Sequence, residues 1–408
     1  MTFTARALPY RDALSIAPFR RLLLGQGLSM VGDAVCLAAL PIALIRADFG
    51  AGVFGFVMAA VGIGTVVGAL VGGMLADRKS PKRVLVFTDV LRGALQVIAT
   101  ALIVAGASWW SLLPVYLLFG VGIGISRPCA QVLLVNLLPK QALVAGNGAM
   151  NFVDNLVAVI FPATLGVVII LWDPVWGILF DGVTFFCAAF FTMLLPDKGA
   201  YESQEKFALR EALNGISVIR GNFILTLGFA ATLIVSVLGF PVFLVVAPYA
   251  ISDRFSDTMW GMCLAASGLG ACFGSIVTVL AAAHQRLIAL AVSCALFLAV
   301  AMALLGMGHS TGLVILGAAF VGVVEASWLT GWATAMQMHS PEKELGKVVA
   351  VDTLVTSGTH PLVYVGSSLL GGMAGYSQTL LVVAIVSAVG ALGIALVSFR
   401  PLSRDQAR

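Results

Sequence analysis

The sequence predicts an all-helical membrane protein, twelve transmembrane helices in two pseudo-symmetric six-helix bundles, on three observations. Of its 408 residues 60% are hydrophobic and 10% charged, with a mean hydropathy of +1.04, which excludes an ordinary soluble chain of this length. Apolar runs of about 20 residues, each able to cross a ~30 Å hydrocarbon core as a helix, recur from end to end without the period-two alternation of a transmembrane barrel. A glycine pattern also returns half a chain later: Gly62, Gly64 and Gly68 are matched by Gly268, Gly270 and Gly274, at a constant offset of 206 residues. No strand precedes these glycines, so close helix packing explains them better than a dinucleotide loop.

Taken in order, the spans fall at 20–45, 53–76, 84–106, 111–135, 143–171, 175–195, 223–250, 258–282, 286–307, 311–337, 346–373 and 377–399. The first eighteen residues hold Arg6, Arg11 and Asp12 and no apolar core fit for a cleaved signal, so the first span is expected to stay as a helix. Between spans two and three, Asp77 to Arg83 gathers four cations and one acid, which cannot lie in hydrocarbon. Twenty of the 23 Lys and Arg fall on that same side. The positive-inside rule then predicts a multi-pass cell (inner or plasma) membrane protein with both termini cytoplasmic. Trp109, Trp110, Trp172, Trp176 and Trp260 are expected at the opposite interface as aromatic anchors. The interval Asp197 to Asn222 carries eight charged residues and divides an N-terminal bundle, 1–196, from a C-terminal one, 223–408. Within that cytoplasmic linker, 197–222, Phe207 to Ile219 suits a surface helix.

Several function classes lose support here. The net charge of +4 is spread over turns and ends, so nucleic acid is not an expected partner. The six cysteines lie in apolar spans without CxxC spacing and read as small buried hydrophobes. No Walker loop, nucleophile elbow or HExxH motif is present, so neither an enzyme nor a cofactor is expected, and transport energy would come from a gradient.

Ionisable groups inside spans cost about 2.5–3.5 kcal/mol each at the helix centre, so each needs a partner or a task. Asp33, midway along span one with Gln26 and Ser29 on much the same face, is the first candidate for proton coupling, against a purely structural hydrogen bond. Asn147, Asn151, Asp154 and Asn155 follow helical spacing in span five and suggest a lined cavity. Glu325 in span ten precedes Trp328 and Trp332 near one face, which suits a cationic or aromatic ligand or, equally, packing between helices. Asp352, Thr356 and His360 repeat every four residues in span eleven and could relay a proton. Arg127, with Gln131 one turn on, would offset a buried acid such as Asp33 or Asp154, and Asp181 reads as a packing-level acceptor. A metal cargo finds no Cys-His cluster or His-x-x-x-His pair, and no metal site is expected.

The stretch Gly73-Met74-Leu75-Ala76-Asp77-Arg78-Lys79-Ser80-Pro81-Lys82-Arg83-Val84-Leu85 resembles the loop between the second and third helices of the major facilitator superfamily, Gly-x-Leu-Ala-Asp-Arg-x-Gly-Arg-Lys-x-x-Leu. Gly73, Leu75, Ala76, Asp77, Arg78, Lys82 and Leu85 match, while Ser80 and Pro81 stand where the family has Gly-Arg. Asp89-Val90-Leu91-Arg92, Arg127-Pro128-Cys129-Ala130-Gln131 and the Leu138 to Asn147 segment are similar to the branch of macrolide-efflux and siderophore (enterobactin) exporters. In span five, Phe161-Pro162-Ala163-Thr164-Leu165-Gly166 stands where drug antiporters usually carry Gly-Pro-x-x-Gly-Gly.

The resemblance implies the major facilitator fold, working as a monomer by alternating access around a midplane site. It further implies that Asp77 accepts hydrogen bonds at the start of span eleven, near Gly346 to Val349, with Gly73, Arg78, Lys82 and Arg83 completing a cytoplasmic latch and Asp89 and Arg92 as neighbours. The expected activity is proton-coupled efflux of amphipathic organic compounds, of drug or siderophore type. Import or uniport of a small solute such as a peptide or sugar is the alternative, and a non-transporting membrane sensor a further one.

Overall fold

The computed structural model describes residues 13–49, 52–139, 142–161, 172–197, 209–280, 286–341 and 344–398. Among these there is no strand, and helices account for almost every residue. In chain order they are α1 (Ala17–Arg46), α2 (Val53–Arg78), α3 (Pro81–Val104), α4 (Leu112–Leu137), α5 (Leu143–Phe161), α6 (Val175–Met193), α7 (Leu209–Gly221), α8 (Phe223–Thr232), α9 (Phe240–Ser252), α10 (Thr258–Leu280), α11 (Leu287–Met307), α12 (Thr311–His339), α13 (Leu345–Ala374) and α14 (Tyr376–Ser398). Eleven segments among the described residues are long and apolar enough to cross a membrane, α8 and α9 counting as one. The fifth expected span is a described helix only to Phe161, because 162–171 lie outside the described residues.

Local chemistry sets the helix boundaries. Ser80 caps α3 by accepting from the Arg83 amide, and Pro81 follows at the first helical position, where its missing N–H costs nothing. The Asn222 side chain accepts from the Ile224 and Leu225 amides to start α8. Gly375 alone joins α13 to α14, at φ +98°, a conformation L side chains rarely adopt. Between α8 and α9 the backbone widens into a π turn, Leu233–Val237. Pro241 offers no N–H to the Val237 carbonyl four residues back, so the α-helical ladder cannot run through.

The chain forms two compact units, residues 1–49 with 60–206 and residues 50–59 with 207–408. Within the first, α1 and α3 both pack along α6, and α3 packs on α4. Within the second, α10 packs along α12, and α11 along α12 and α14. Burial of apolar surface cannot hold such helices together in lipid, so close backbone approach must. The repeated glycines supply it. A Cβ on Gly64 or Gly68 would overlap the Leu117 or Val121 carbonyl of α4; a Cβ on Gly270 or Gly274 would overlap the Ala319 or Val323 carbonyl of α12. The facing glycines reciprocate, Gly120 against Val61 and Gly322 against Ser267. Both seams therefore share one register, and the glycine pattern is a packing device rather than a ligand loop.

Two expectations need correction. Trp260 is fully buried against Phe243, with ring centroids 5.2 Å apart, and is no interfacial anchor; Trp110, Trp172 and Trp176 are exposed. Of the cysteines, Cys187 and Cys272 are exposed rather than buried.

The seams predict a paired outcome. Gly68→Leu and Gly274→Leu should each lower stability by roughly 1–3 kcal/mol through overpacking, whereas Gly366→Ala should be neutral. No heavy atom lies within 4 Å of a Cβ at Gly366. Thermal unfolding of the purified protein in detergent reads both.

Candidate functional site

The first unit encloses a polar cluster in its apolar interior. From α3, Asp89, Arg92 and Gln96 fall at i, i+3 and i+7 and so share one helix face. Arg92 donates through Nη2 to both carboxylate oxygens of Asp33 on α1, at 3.0 and 3.3 Å. Its guanidinium carbon lies 3.8 Å from the ring centroid of Phe185 on α6 and 4.9 Å from that of Phe119 on α4. The two rings meet edge to face, 5.8 Å apart. Gly122 makes room for the Arg92 stem, since a Cβ there would press on its Cγ. The arginine is thus clamped by cation–π contact on a packed wall.

Gln96 extends the cluster by donating through Nε2 to Asp181 Oδ2 at 2.5 Å and to Cys36 Sγ at 3.4 Å. Asp181 fits because Gly32 on α1 leaves space for it and for Thr184. Asp89, Gln96 and Asp181 are at most 1% exposed. Yet Asp89 Oδ2, Arg92 Nε, Gln96 Oε1, Asp181 Oδ1 and Tyr116 Oη have no hydrogen-bond partner among the described residues. Burying unpaired polar atoms is costly, so a cluster with spare donors and acceptors is a place where protons and bonds can be rearranged. The two ends of the ion pair differ in access: Arg92 exposes 7% of its side chain and Asp33 45%.

Other expected residues of this unit are placed less closely. Ser29 donates to the Gln26 carbonyl at 2.9 Å, and Asn147 to the Leu143 carbonyl at 3.0 Å. Arg127, Gln131 and Asp154 are exposed, and the side chains of Asn151 and Asn155 lie outside the described residues. The ion pair of Asp33, expected from Arg127, is made by Arg92. Arg92 and Asp89, expected beside the cytoplasmic loop, are instead part of the bundle interior. Of the loop itself, the side chains of Asp77 and Arg78 lie outside the described residues, and nothing is described around Gly73. Its described part ties to the end of α6: Ser80 and Arg83 bind Asp197 at 2.6 and 3.0 Å, and Lys82 donates to the Leu195 carbonyl at 2.6 Å.

In the second unit the tryptophans are packing elements. Trp328 and Trp332 stack at 5.9 Å and 7°, are at most 2% exposed, and donate to Thr232 and Asp352 at 3.2 and 2.8 Å. Neither indole is open to a ligand. Thr356 turns back to the Asp352 carbonyl at 2.8 Å. His360 Nε2 is buried and unpartnered among the described residues. Glu325 is half-buried on α12, and Tyr364 lies 5.9 Å from the His360 ring. Sequence reasoning passed over Gln96, Cys36, Tyr116, Phe119 and Phe185. The i, i+3, i+7 stripe of Asp89, Arg92 and Gln96 was the signal that could have found the first; the rings carried none.

Comparison with known proteins gives a consistent outline. The family model described as Major Facilitator Superfamily matches residues 22–362. No curated protein matches the chain. Among solved structures, a variant of the nucleoside transporter NupG superposes with a TM-score of 0.78 at 14% identity, covering 94% of this chain and 100% of that one. A POT family transporter in complex with a thioalcohol-conjugated peptide gives 0.71 at 14% identity over 93% and 96%. A bacterial homologue of the iron transporter ferroportin gives 0.68 at 18% identity over 93% and 98%. At such identities the likeness is one of fold.

The clamp predicts an order of stability losses. Arg92→Met removes the cation from beside Asp33 and Asp89 and should cost about 3 kcal/mol, at the lower end for a broken buried pair. Asp33→Asn keeps an acceptor at a half-open position and should cost nearer ~1 kcal/mol. Thermal unfolding of the two variants ranks them.

Proposed function

The chain belongs to the Major Facilitator Superfamily, and from that premise we propose that it is a secondary transporter working by alternating access, exporting amphipathic organic compounds in exchange for protons. The observation that carries the coupling is the Asp33–Arg92 pair, clamped on its basic side and open on its acidic side. Proton binding at Asp33 and its ion pair with Arg92 exclude each other, because the neutral acid no longer holds the guanidinium by charge. Asp89, one turn back on α3 with Oδ2 unpartnered among the described residues, is the acceptor to which the released Arg92 can turn. Three carboxyl groups, Asp33, Asp89 and Asp181, share this interior with a single clamped guanidinium. Such an excess calls for bound protons or a cationic ligand, since unpaired buried charge is costly.

Support for the substrate class is compositional. Gln26, Asp33, Arg127, Gln131, Asn147 and Asp154 are half-buried or exposed on otherwise apolar helices of the first unit, a surface for a ligand that is part apolar and part polar. The segments resembling macrolide and siderophore exporters point the same way. The loop from Gly73 to Leu85 serves in this reading as the cytoplasmic latch, with Asp77 as its acid.

Reconstitution tests the reading. A compound found by thermal shift of the purified protein should leave cells that express it, and its flux in proteoliposomes should rise severalfold under an imposed pH gradient. In Asp33→Asn the flux should no longer respond to the gradient. Flux indifferent to the gradient in the unmodified protein would end the coupling proposal, accumulation inside cells would favour the importer, and no flux of any ligand would favour a sensor. Asp89→Asn should slow turnover roughly tenfold, the equivalent of about 1.4 kcal/mol, while ligand-induced thermal shift stays as it was.

A further inference from the structure

The outer face of α3 and α6 carries a second feature, which shares Lys82 and Arg83 with the latch and otherwise lies outside the transport reading. The two helices make a close approach at Gly93 and Gly182, where a Cβ on Gly93 would lie 2.9 Å from the Gly182 carbonyl and 3.0 Å from the Phe186 ring. Both glycines are buried, Gly93 beneath the Phe186 ring, and above them the two helices present a shallow trough edged by two rows of exposed apolar side chains. Phe87, Val90 and Val97 rise from α3 at helical spacing, and Met193, Phe190 and Phe186 from α6. At one end the trough opens into a cavity of about 410 Å³ lined by Lys82, Arg83, Val86, Phe87, Val90 and Met193.

That end is strongly basic. Lys82 donates to the Leu195 carbonyl and Arg21 to the Leu194 carbonyl, so both cations sit on the two residues that follow α6. Arg83 leaves 82% of its side chain exposed and is bonded to Asp197 through Nε, which leaves its terminal nitrogens able to receive an anion. Lys82 and Arg83 also belong to the first turn of α3, a 24-residue helix whose N-terminal amides favour negative charge. From Arg83 to Val97 the trough runs about 21 Å at 1.5 Å per residue, more than half of a ~30 Å hydrocarbon core.

We propose that this trough is a binding site for one phospholipid with an anionic headgroup, its phosphate at Lys82 and Arg83 and an acyl chain along the exposed apolar side chains of α3 and α6. Ordinary boundary lipid would need the apolar face alone. The charge complementarity at the mouth, with Arg21, Lys82 and Arg83 set against Asp197, is what selects an anionic headgroup over a zwitterionic one. The inference rests on the chain spanning a membrane and not on what it transports.

The test uses the full chain carrying Phe87→Trp in liposomes, with neither substrate nor gradient, so its failure is independent of the transport reading. Brominated phosphatidylglycerol should quench the added fluorescence at a mole fraction roughly fivefold lower than brominated phosphatidylcholine, the factor one basic side chain is worth at an anionic surface. Lys82→Gln with Arg83→Gln in that background should abolish the preference. Phe190→Trp, which probes the opposite wall and keeps every cation, should show the same preference even if the double variant does not fold. Equal quenching by both lipids in the two tryptophan variants would overturn the proposal and leave boundary lipid only; so would a preference that survives loss of both cations.

Discussion

Arg92 is the interaction on which the first unit depends. A guanidinium in an apolar interior has to be compensated, and this one is met by two phenyl rings, a glycine that clears its stem and a carboxylate from another helix. Four helices, α1, α3, α4 and α6, contribute to that compensation. The ion pair therefore fixes their relative rotation as well as their contact, and a change at Asp33 is felt by all four. A surface ion pair would transmit nothing of the kind, because solvent would replace either partner at little cost.

Hydrocarbon sets the other constraint, that helices must find each other without a hydrophobic incentive. The seams answer it with backbone-to-backbone approach at Gly64, Gly68 and Gly120 in one unit and Gly270, Gly274 and Gly322 in the other. This much was legible in the sequence, because glycine at helical spacing inside an apolar run has few other uses and the 206-residue offset tied two instances together. Span positions were legible for the same reason: length and apolarity leave little choice in lipid. Trp260 was misread because an indole near a span end suits an interface and a core equally, and only its contact with Phe243 distinguishes them.

The site was legible by residue type and not by partner. Asp33 announced itself as an acid in the middle of a span, and Asp181 as a packing-level acceptor, which its bond from Gln96 matches. Arg92 was drawn toward the neighbouring charged loop because a helix carries no mark of how far inward a given turn lies. Its partner 59 residues away depends on the rotation of α1 against α3, which periodicity alone does not give. The aromatic clamp was invisible for a stronger reason: in a chain with 24 phenylalanines, Phe119 and Phe185 differ from the rest only by what stands over them.

The two units repeat the packing and differ in the chemistry. The same seam register that pairs α2 with α4 pairs α10 with α12, yet α3, with Asp89, Arg92 and Gln96, has no polar equivalent in α11, which carries no charged residue between Leu287 and Met307. The second unit places its ionisable groups elsewhere, Glu325 on α12 and Asp352 and His360 on α13. Glycine seams tolerate this divergence because they hold helices through backbone contacts and leave the remaining faces free to carry other side chains. A charged cluster built on one scaffold and omitted from its copy is not a general requirement of that scaffold, even though in the first unit Arg92 ties four helices together. The second unit is held by its seam with no charge on α11, so the cost of placing Asp33, Asp89, Arg92 and Asp181 inside the first points to a task beyond stability.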